Sequence, residues 1–106
     1  MKFKIGKTSD IGEGSISRFE VNGIPLMVAR VADSFFAASA ICTHEEADLS
    51  LGMIVESVVM CPLHQAKFEI RTGQVLEGPN GTETGTIRNL KTYPVSVEND
   101  EIWIEV

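Results

Sequence analysis

The stretch that decides the fold runs from residue 42 to residue 64 and reads C-T-H-E-E-A-D-L-S-L-G-M-I-V-E-S-V-V-M-C-P-L-H. It begins with the arm Cys42-Thr43-His44 and ends with the arm Cys61-Pro62-Leu63-His64, and sixteen residues, 45 to 60, separate the two. The chain has only two cysteines and two histidines, and all four lie in these arms. Thiolate and imidazole are the ligands that many transition metals prefer, so we interpret the arms as one metal centre.

The order of the donors indicates the kind of centre. Each arm offers one thiolate and one imidazole, so each iron of a two-iron cluster could take two like ligands, one from each arm. This arrangement suits a Rieske 2Fe–2S centre, in which two His replace two Cys on one iron. The candidate metal and cofactor ligands are therefore Cys42, His44, Cys61 and His64.

Two other interpretations of the arms stay open. A structural zinc site commonly pairs Cys with Cys and then His with His, whereas here the two residue types alternate, which a zinc ion could also accept. The four residues could also be unrelated members of a core, since a free cysteine often behaves as a small hydrophobic residue.

Length and composition bound the class of protein. A chain of 106 residues that is 43% hydrophobic fits one domain, which we expect to span residues 1–106. The formal charge of −6 disfavours nucleic acid, which requires clustered Lys and Arg. It favours docking on a basic patch of a protein partner.

The chain shows no targeting or membrane segment. Its start, residues 1–7, is not followed by the apolar stretch of a secretory signal. No apolar run approaches the ~20 residues that a membrane span needs. Both cysteines are assigned to the centre and none remains for a disulfide, so we expect a soluble, cytoplasmic protein. We also expect a monomer.

The pattern of the chain predicts an all-β fold. Short runs rich in β-branched and aromatic residues alternate with turn signals. Asn22-Gly23 predicts a type I′ hairpin turn, and Ala32-Asp33-Ser34 and Asn99-Asp100 predict turns of the same kind. The predicted strands are Lys2–Lys7, Ser15–Val21, Leu26–Val31, Phe35–Ser39, Met53–Ser57, Val58–Met60, Lys67–Arg71, Lys91–Glu98 and Glu101–Val106.

Helix signals are weak, and one long loop stands out. The segment Thr43–Leu49 could form one helical turn, and nothing longer is convincing. Residues 78–90 contain Gly, Pro and Asn at positions that exclude regular structure over most of the segment. Loops of this length in a compact domain are often functional.

The arms and their surroundings resemble those of Rieske-type ferredoxins, the small soluble carriers that serve ring-hydroxylating oxygenases. Residues 42–52 resemble the first cluster loop of that family, and residues 61–64 with 68–73 resemble the second. Gly78-Pro79 matches the proline loop that shields the cluster, and residues 92–95 match the strand after it. The resemblance covers residues 35 to 106 well and implies a Rieske-type antiparallel β-sandwich with the cluster-binding loops at one end.

The chain departs from the family pattern at two places. Gln65 follows the second His where many members have Gly, and a positive φ there would cost a small conformational penalty. The segment from Asn80 to Asn89 is longer than usual for the family.

The resemblance also implies a low reduction potential. High-potential members have an extra Cys in each arm, and a Ser and a Tyr after the second His whose hydroxyls bond to sulfur. This chain has no third cysteine and has Ala66 and Phe68 at the last two places. Hydrogen bonds to sulfur stabilise the reduced cluster, so we expect a midpoint near the low end of the Rieske range, roughly −150 to 0 mV. Filling of the core would explain Ala66 and Phe68 equally well.

The function implied is electron transfer without catalysis. An oxygenase needs a second iron site of two His and one carboxylate, and both histidines are already assigned. We therefore expect no catalytic residue, one 2Fe–2S cluster, a flavoprotein reductase as electron donor and a terminal oxygenase or similar acceptor. A Cys2His2 zinc scaffold and an iron–sulfur redox sensor remain the alternatives.

An acidic group next to the first His suggests how a partner is met. Glu45, Glu46 and Asp48 could form an acidic rim that steers the encounter with a basic partner, with Lys67 tempering its charge. An ordinary solvated loop explains the same residues.

Overall fold

A computed structural model describes residues 1–43, 47–63, 65–78 and 87–106. The described residues are mainly in antiparallel strands, with two single turns of 3-10 helix at Thr8–Asp10 and Leu49–Leu51. The strands are β1 (Lys2–Lys7), β2 (Ile16–Val21), β3 (Ile24–Val31), β4 (Ser34–Ser39), β5 (Met53–Val55), β6 (Val58–Met60), β7 (Lys67–Glu69), β8 (Val75–Glu77), β9 (Thr92–Tyr93), β10 (Val95–Glu98) and β11 (Glu101–Glu105).

The strands form three antiparallel sheets. The outer sheet has the order β1-β11-β10, the middle sheet β2-β3-β4-β9, and the arm sheet β5-β6-β7-β8. The all-β antiparallel fold expected from the sequence is confirmed. Both arms adjoin the arm sheet, since the first arm precedes β5 and the second arm connects β6 to β7.

The middle sheet has a core on each of its faces. In β3, Leu26 and Val28 belong to a core shared with Ile102 and Ile104 of the outer sheet. Met27 and Ala29, which alternate with them along the strand, point the other way and belong to a second core. That second core includes Val59, Phe68 and Val75 of the arm sheet together with both cysteines. Because both of its faces are buried, the centre of β3 is apolar at consecutive positions and does not alternate.

Three of the hairpin turns have the geometry that their sequences predict. Asn22 and Gly23 have φ values of 53° and 79°, and Ala32-Asp33 and Asn99-Asp100 also have positive φ at both residues. A type I′ turn requires this conformation. The sequence therefore fixes the register of three hairpins through their turns.

The structure corrects the predicted elements at three places. The run Lys91–Glu98 is two strands, because the chain passes at Pro94 from β9 in the middle sheet to β10 in the outer sheet. β8 was not predicted, since its three residues are bordered by turn residues. The helical turn proposed for Thr43–Leu49 is wrong for the described part of that segment, because Asp48 forms a strand-like bridge with Ile41 and the 3-10 turn begins only at Leu49.

Candidate metal centre

The two arms begin as loops of the same construction. The peptide N–H of Cys42 donates to the carbonyl oxygen of Ala47 at 2.9 Å, and that of Cys61 donates to the carbonyl oxygen of Ala66 at 2.7 Å. In both loops the hydrogen bond joins a cysteine to the alanine five residues later, so each loop closes on itself next to its sulfur. Two independent segments of the chain therefore present a cysteine in the same local frame.

Both cysteine side chains are buried in one core. Cys42 is 4% exposed and Cys61 is 1% exposed, and both belong to the core between the middle sheet and the arm sheet. Neither forms a disulfide. Two sulfur donors from loops of one construction, each with a His two or three residues further on, fit the two-Cys, two-His donor set of a Rieske cluster.

The histidine half of the predicted site lies outside the described residues. His44 and His64 are both in the gaps, as are Glu45 and Glu46. In the part of the chain that the structure describes, no three His, Cys, Asp or Glu side chains are grouped so that they could hold a metal ion. The assignment of the two imidazoles accordingly stays a prediction from the sequence.

Asp48 fixes the end of the first loop. Its carboxylate accepts a bond from Arg18 Nη1 at 2.6 Å, and its other oxygen accepts bonds from the peptide N–H and the hydroxyl of Ser50 at 2.9 Å and 2.5 Å. Partial burial opposes ionisation of Asp48, but the bonds from Ser50 and Arg18 outweigh it and hold its pKa below the ordinary value. Asp48 is thus engaged within the chain, and Glu45 and Glu46, the other two residues of the predicted acidic rim, lie outside the described residues.

The second loop has a backbone conformation that favours glycine at the position of Gln65. Gln65 has a φ of 60°, which is the left-handed region that favours glycine. Ala66 and Phe68, which follow it, are both 0% exposed and belong to the same core as the cysteines. Their role in filling the core is therefore established, whatever their effect on the potential.

The described end of the long loop packs against both the first arm and β8. The hydroxyl of Thr43, next to Cys42, donates to the carbonyl oxygen of Arg88 at 2.5 Å. Asn89 Oδ1 accepts from the peptide N–H of Val75 at 3.0 Å, and the N–H of Leu90 donates to Gly73 at 2.8 Å. Pro79 and most of the loop, residues 79–86, lie outside the described residues, so the shielding expected of Gly78-Pro79 stays a prediction.

Sequence reasoning missed the residues that brace the arms. Arg18 is thirty residues from Asp48, and Arg88 is forty-five residues from Thr43. No local pattern marks such partners, because the contacts depend on how the sheets are stacked. Lys67, predicted to temper the acidic rim, forms an ion pair with Glu77 at 2.9 Å within the arm sheet.

Comparison with known proteins decides the family. The model of the Rieske [2Fe-2S] domain matches residues 1–94. The chain belongs to the Rieske family. Its cofactor is accordingly one Rieske-type 2Fe–2S cluster, as the donor pattern of the arms predicts.

Relatives of this Rieske chain include ferredoxin components of dioxygenase systems. It is 36% identical over 98 residues to the ferredoxin component of the naphthalene 1,2-dioxygenase system of Pseudomonas putida, an alignment that covers 92% of this chain and 88% of the relative. The predicted resemblance to Rieske-type ferredoxins is thereby confirmed.

Solved structures agree on the fold. The ferredoxin of carbazole 1,9a-dioxygenase from Nocardioides aromaticivorans IC177 matches with a TM-score of 0.86 and 31% identity, over 98% of this chain and 96% of that one. A chain in a complex of reduced oxygenase and oxidized ferredoxin of carbazole 1,9a-dioxygenase matches with a TM-score of 0.86 and 33% identity, over 97% and 100% of the two chains. The Rieske-type fold expected from the sequence is confirmed.

Among the described residues, no helix has the length and apolar character needed to cross a membrane.

Proposed function

We propose that this Rieske chain is the ferredoxin component of an oxygenase system and passes single electrons from a flavoprotein reductase to a terminal oxygenase. The observation that carries the proposal is the pair of equivalent loops, which bring Cys42 and Cys61 into one buried core of a Rieske domain. The names of its relatives, which are ferredoxin components, support it further.

The proposed ligands are the four residues of the arms. Cys42 and Cys61 would hold one iron and His44 and His64 the other, as the family's donor set requires. The bound cluster supplies a site that accepts and releases one electron. The chain's own part is to hold the two sulfurs out of water in a fixed frame, which Asp48, Thr43 and the two closed loops achieve.

The proposal includes no catalysis by this chain. Its two histidines are used by the cluster, so no second iron site of two His and a carboxylate can be assembled from its residues. We further propose that residues 1–106 act as one domain, that the protein is a monomer, and that it works in the cytoplasm. The small size and acidic charge of the chain support a carrier that meets its partners transiently.

A spectrum tests the cofactor and its ligands. Purified protein should contain two irons and two acid-labile sulfides per chain, absorb visible light and give an EPR signal of a Rieske cluster after reduction with dithionite. Changing His64 to Cys should abolish the Rieske signal, since that signal requires two imidazoles on one iron. Colourless protein with one zinc per chain would instead establish the zinc scaffold.

Electron delivery tests the function. Protein reduced by a flavoprotein reductase should be reoxidised on addition of the terminal oxygenase of the naphthalene 1,2-dioxygenase or the carbazole 1,9a-dioxygenase system, with product formed in proportion. Ferredoxin omitted from the same mixture is the control. If reduced protein with an intact cluster passes no electrons to either oxygenase, while the ferredoxins of those systems do, the carrier function is contradicted and a sensor becomes the better explanation.

A further inference from the structure

On the outward face of the arm sheet, β5, β6 and β8 carry apolar side chains, whereas β7 carries Lys67 and Glu69. Successive residues of a strand point to opposite faces, and Ile54, Val59, Phe68 and Val75 are the inward ones that pack on the core. The outward positions of these strands include five large apolar side chains, which are Met53, Val55, Val58, Met60 and Leu76. We call these five residues the methionine face.

Met53, Val55, Val58 and Met60 are neighbours on β5 and β6, and Lys67 of β7 lies opposite Met60, between these four residues and Leu76 of β8. Met53 is 61% exposed, Val55 63% and Leu76 43%. Met53 lies opposite Met60 and Val55 lies opposite Val58 across the β5–β6 pair. Together with Glu56 and Lys67, these side chains line a shallow groove of about 590 Å³. Contiguous apolar patches of this kind mark interaction sites more often than scattered apolar residues do.

The border of the methionine face carries more negative than positive charge. Glu56 lies in the turn beside Val55, and Glu69 and Glu77 lie on β7 and β8. Lys67 pairs with Glu77, and Arg71 pairs with Glu69, both at 2.9 Å. Because Glu77 and Glu69 are paired with these two cations, Glu56 leaves one net negative charge at the border, and a complementary partner would bring a basic side chain to it.

The methionine face leads directly into the second arm. Met60 is followed by Cys61, and next come Pro62 and Leu63, which are both exposed. Leu63 is 50% exposed although it is a leucine two residues from a buried sulfur. A protein that covers the methionine face therefore also reaches the loop that carries one of the proposed ligands.

We propose that the methionine face is the docking surface for the terminal oxygenase, which would contribute an apolar patch with a Lys or Arg at its border. The inference rests on the proposed function. Five side chains cover on the order of a few hundred Å², which is below the ~800 Å² per partner of a stable complex and suits a transient electron-transfer encounter. The same small size argues against a second copy of the chain as the occupant.

Matched valine substitutions test the proposal. Val55 and Val97 are both exposed valines in strands, but Val97 is 48% exposed in β10 of the outer sheet, away from the arms. We would compare Val55→Thr, the double variant Met53→Thr with Val55→Thr, and the control Val97→Thr. The probe is whichever of the naphthalene and carbazole oxygenases accepts electrons fastest from the wild-type protein.

The expected result is a change in affinity alone. The double variant should raise the KM for ferredoxin roughly ten-fold, and Val55→Thr by a smaller factor, while Val97→Thr leaves it within two-fold. The visible and EPR spectra and the rate of reduction by the reductase should stay as in wild type. An unchanged KM overturns the docking surface, as does a rise seen only with the reductase.

Two further outcomes separate this inference from the function on which it rests. If the wild-type protein passes electrons to neither oxygenase, the proposed function and the docking surface both fail. If the wild-type protein sediments as a dimer and the double variant as a monomer with unchanged KM, the methionine face joins two copies of the chain and the oxygenase docks elsewhere.

Discussion

Position 66 lies inside the hydrogen-bonded loop that carries the second sulfur. The carbonyl oxygen of Ala66 accepts from the peptide N–H of Cys61, and the alanine methyl is fully buried in the same core. We predict that Ala66→Ser raises the midpoint potential, because a hydroxyl donor near sulfur stabilises the reduced, more negative cluster. One hydrogen bond of about 1 kcal/mol corresponds to roughly 40 mV for a one-electron couple. A redox titration followed by EPR measures the shift.

The control for this substitution is a second buried alanine. Ala37 is 2% exposed and belongs to the core that contains neither cysteine. Ala37→Ser buries the same hydroxyl away from the arms, so it should lower stability without moving the potential. We expect the low potential because hydrogen-bond donors to sulfur are missing. An equal shift of the midpoint potential in both variants, or no shift in Ala66→Ser with its cluster intact, would contradict this explanation.

Gly52 is required by a close approach of two backbones. A Cβ added to Gly52 would overlap the carbonyl oxygen of Met60, a backbone atom that cannot rotate away. We predict that Gly52→Ala costs about 2–3 kcal/mol and lowers the Tm by roughly 10 °C, measured by circular dichroism. Gly12→Ala is the matched control, since its Cβ would meet only Ser15 Oγ at 3.6 Å, an ordinary contact. Equal Tm values for the two variants would show that β5 and β6 can separate without loss.

At the scale of single residues, the sequence predicts those features of the site that depend on the type of side chain. The proposed donor set rests on four residues, and the glycine that many family members have in place of Gln65 points to the position where φ is 60°. The sequence does not predict that the two loops close through the carbonyl oxygens of Ala47 and Ala66. An alanine side chain gives no indication of the hydrogen bonds that its backbone carbonyl accepts. Backbone hydrogen bonds of loops are set by conformation and not by side-chain type.

The link between β2 and the first arm depends on one carboxylate. Arg18 of β2 reaches Asp48, which is held just before the 3-10 turn at Leu49–Leu51. We predict that Asp48→Asn lowers stability at pH 7 by about 1 kcal/mol and speeds loss of the visible cluster absorbance on heating, because the first loop loses its charged anchor. The control is Glu20→Gln, since Glu20 is the second carboxylate near Arg18 but lies 3.4 Å away and is 67% exposed.

The pH dependence of this link has a definite sign. The pKa of Asp48 is lower in the folded protein than its ordinary value, so the folded state favours the ionised form. The stabilisation is fully present above the unfolded pKa, about 4, and is lost as the pH falls through the folded value. The difference in Tm between wild type and Asp48→Asn should therefore be constant from pH 7 to about pH 5 and shrink below about pH 4. A difference that grows on acidification would show that the carboxylate is not the stabilising form.

At the scale of elements the sequence predicts hairpins better than sheets. Three type I′ turns and the strands beside them follow from local residues, within two residues at most boundaries. The break at Pro94 was missed because Tyr93-Pro94-Val95 has the composition of a continuing strand, and only the stacking of the sheets shows that the chain changes sheet there. β8 was missed because three residues are too few for a period to be recognised.

At the scale of the whole molecule, the described residues form three sheets, and both cysteines lie in the core between the middle sheet and the arm sheet. The core between the outer and middle sheets contains no cysteine, and the core between the middle and arm sheets contains both. The sequence does not assign strands to sheets, because β3 is apolar on both faces and gives no sign of which partner lies on which side. Glu98 and Glu101 belong to β10 and β11 of the outer sheet, which lies away from the arms.

The negative charge of the chain yields a prediction about the rate of encounter with the oxygenase. This rate should depend on where the acidic residues lie as well as on the net charge. Replacing Glu45 and Glu46, which follow the first His, by Gln removes two charges next to the proposed cluster, and Glu98→Gln with Glu101→Gln removes two from the outer sheet. If the acidic rim steers a basic partner, the first pair should lower the second-order transfer rate about three- to ten-fold at ~0.05 M salt and the second pair much less. The gap should close near ~0.5 M salt, where the Debye length is only a few ångströms. Stopped-flow reoxidation of the reduced protein measures both rates, and equal losses for the two pairs would mean that only the total charge of −6 matters.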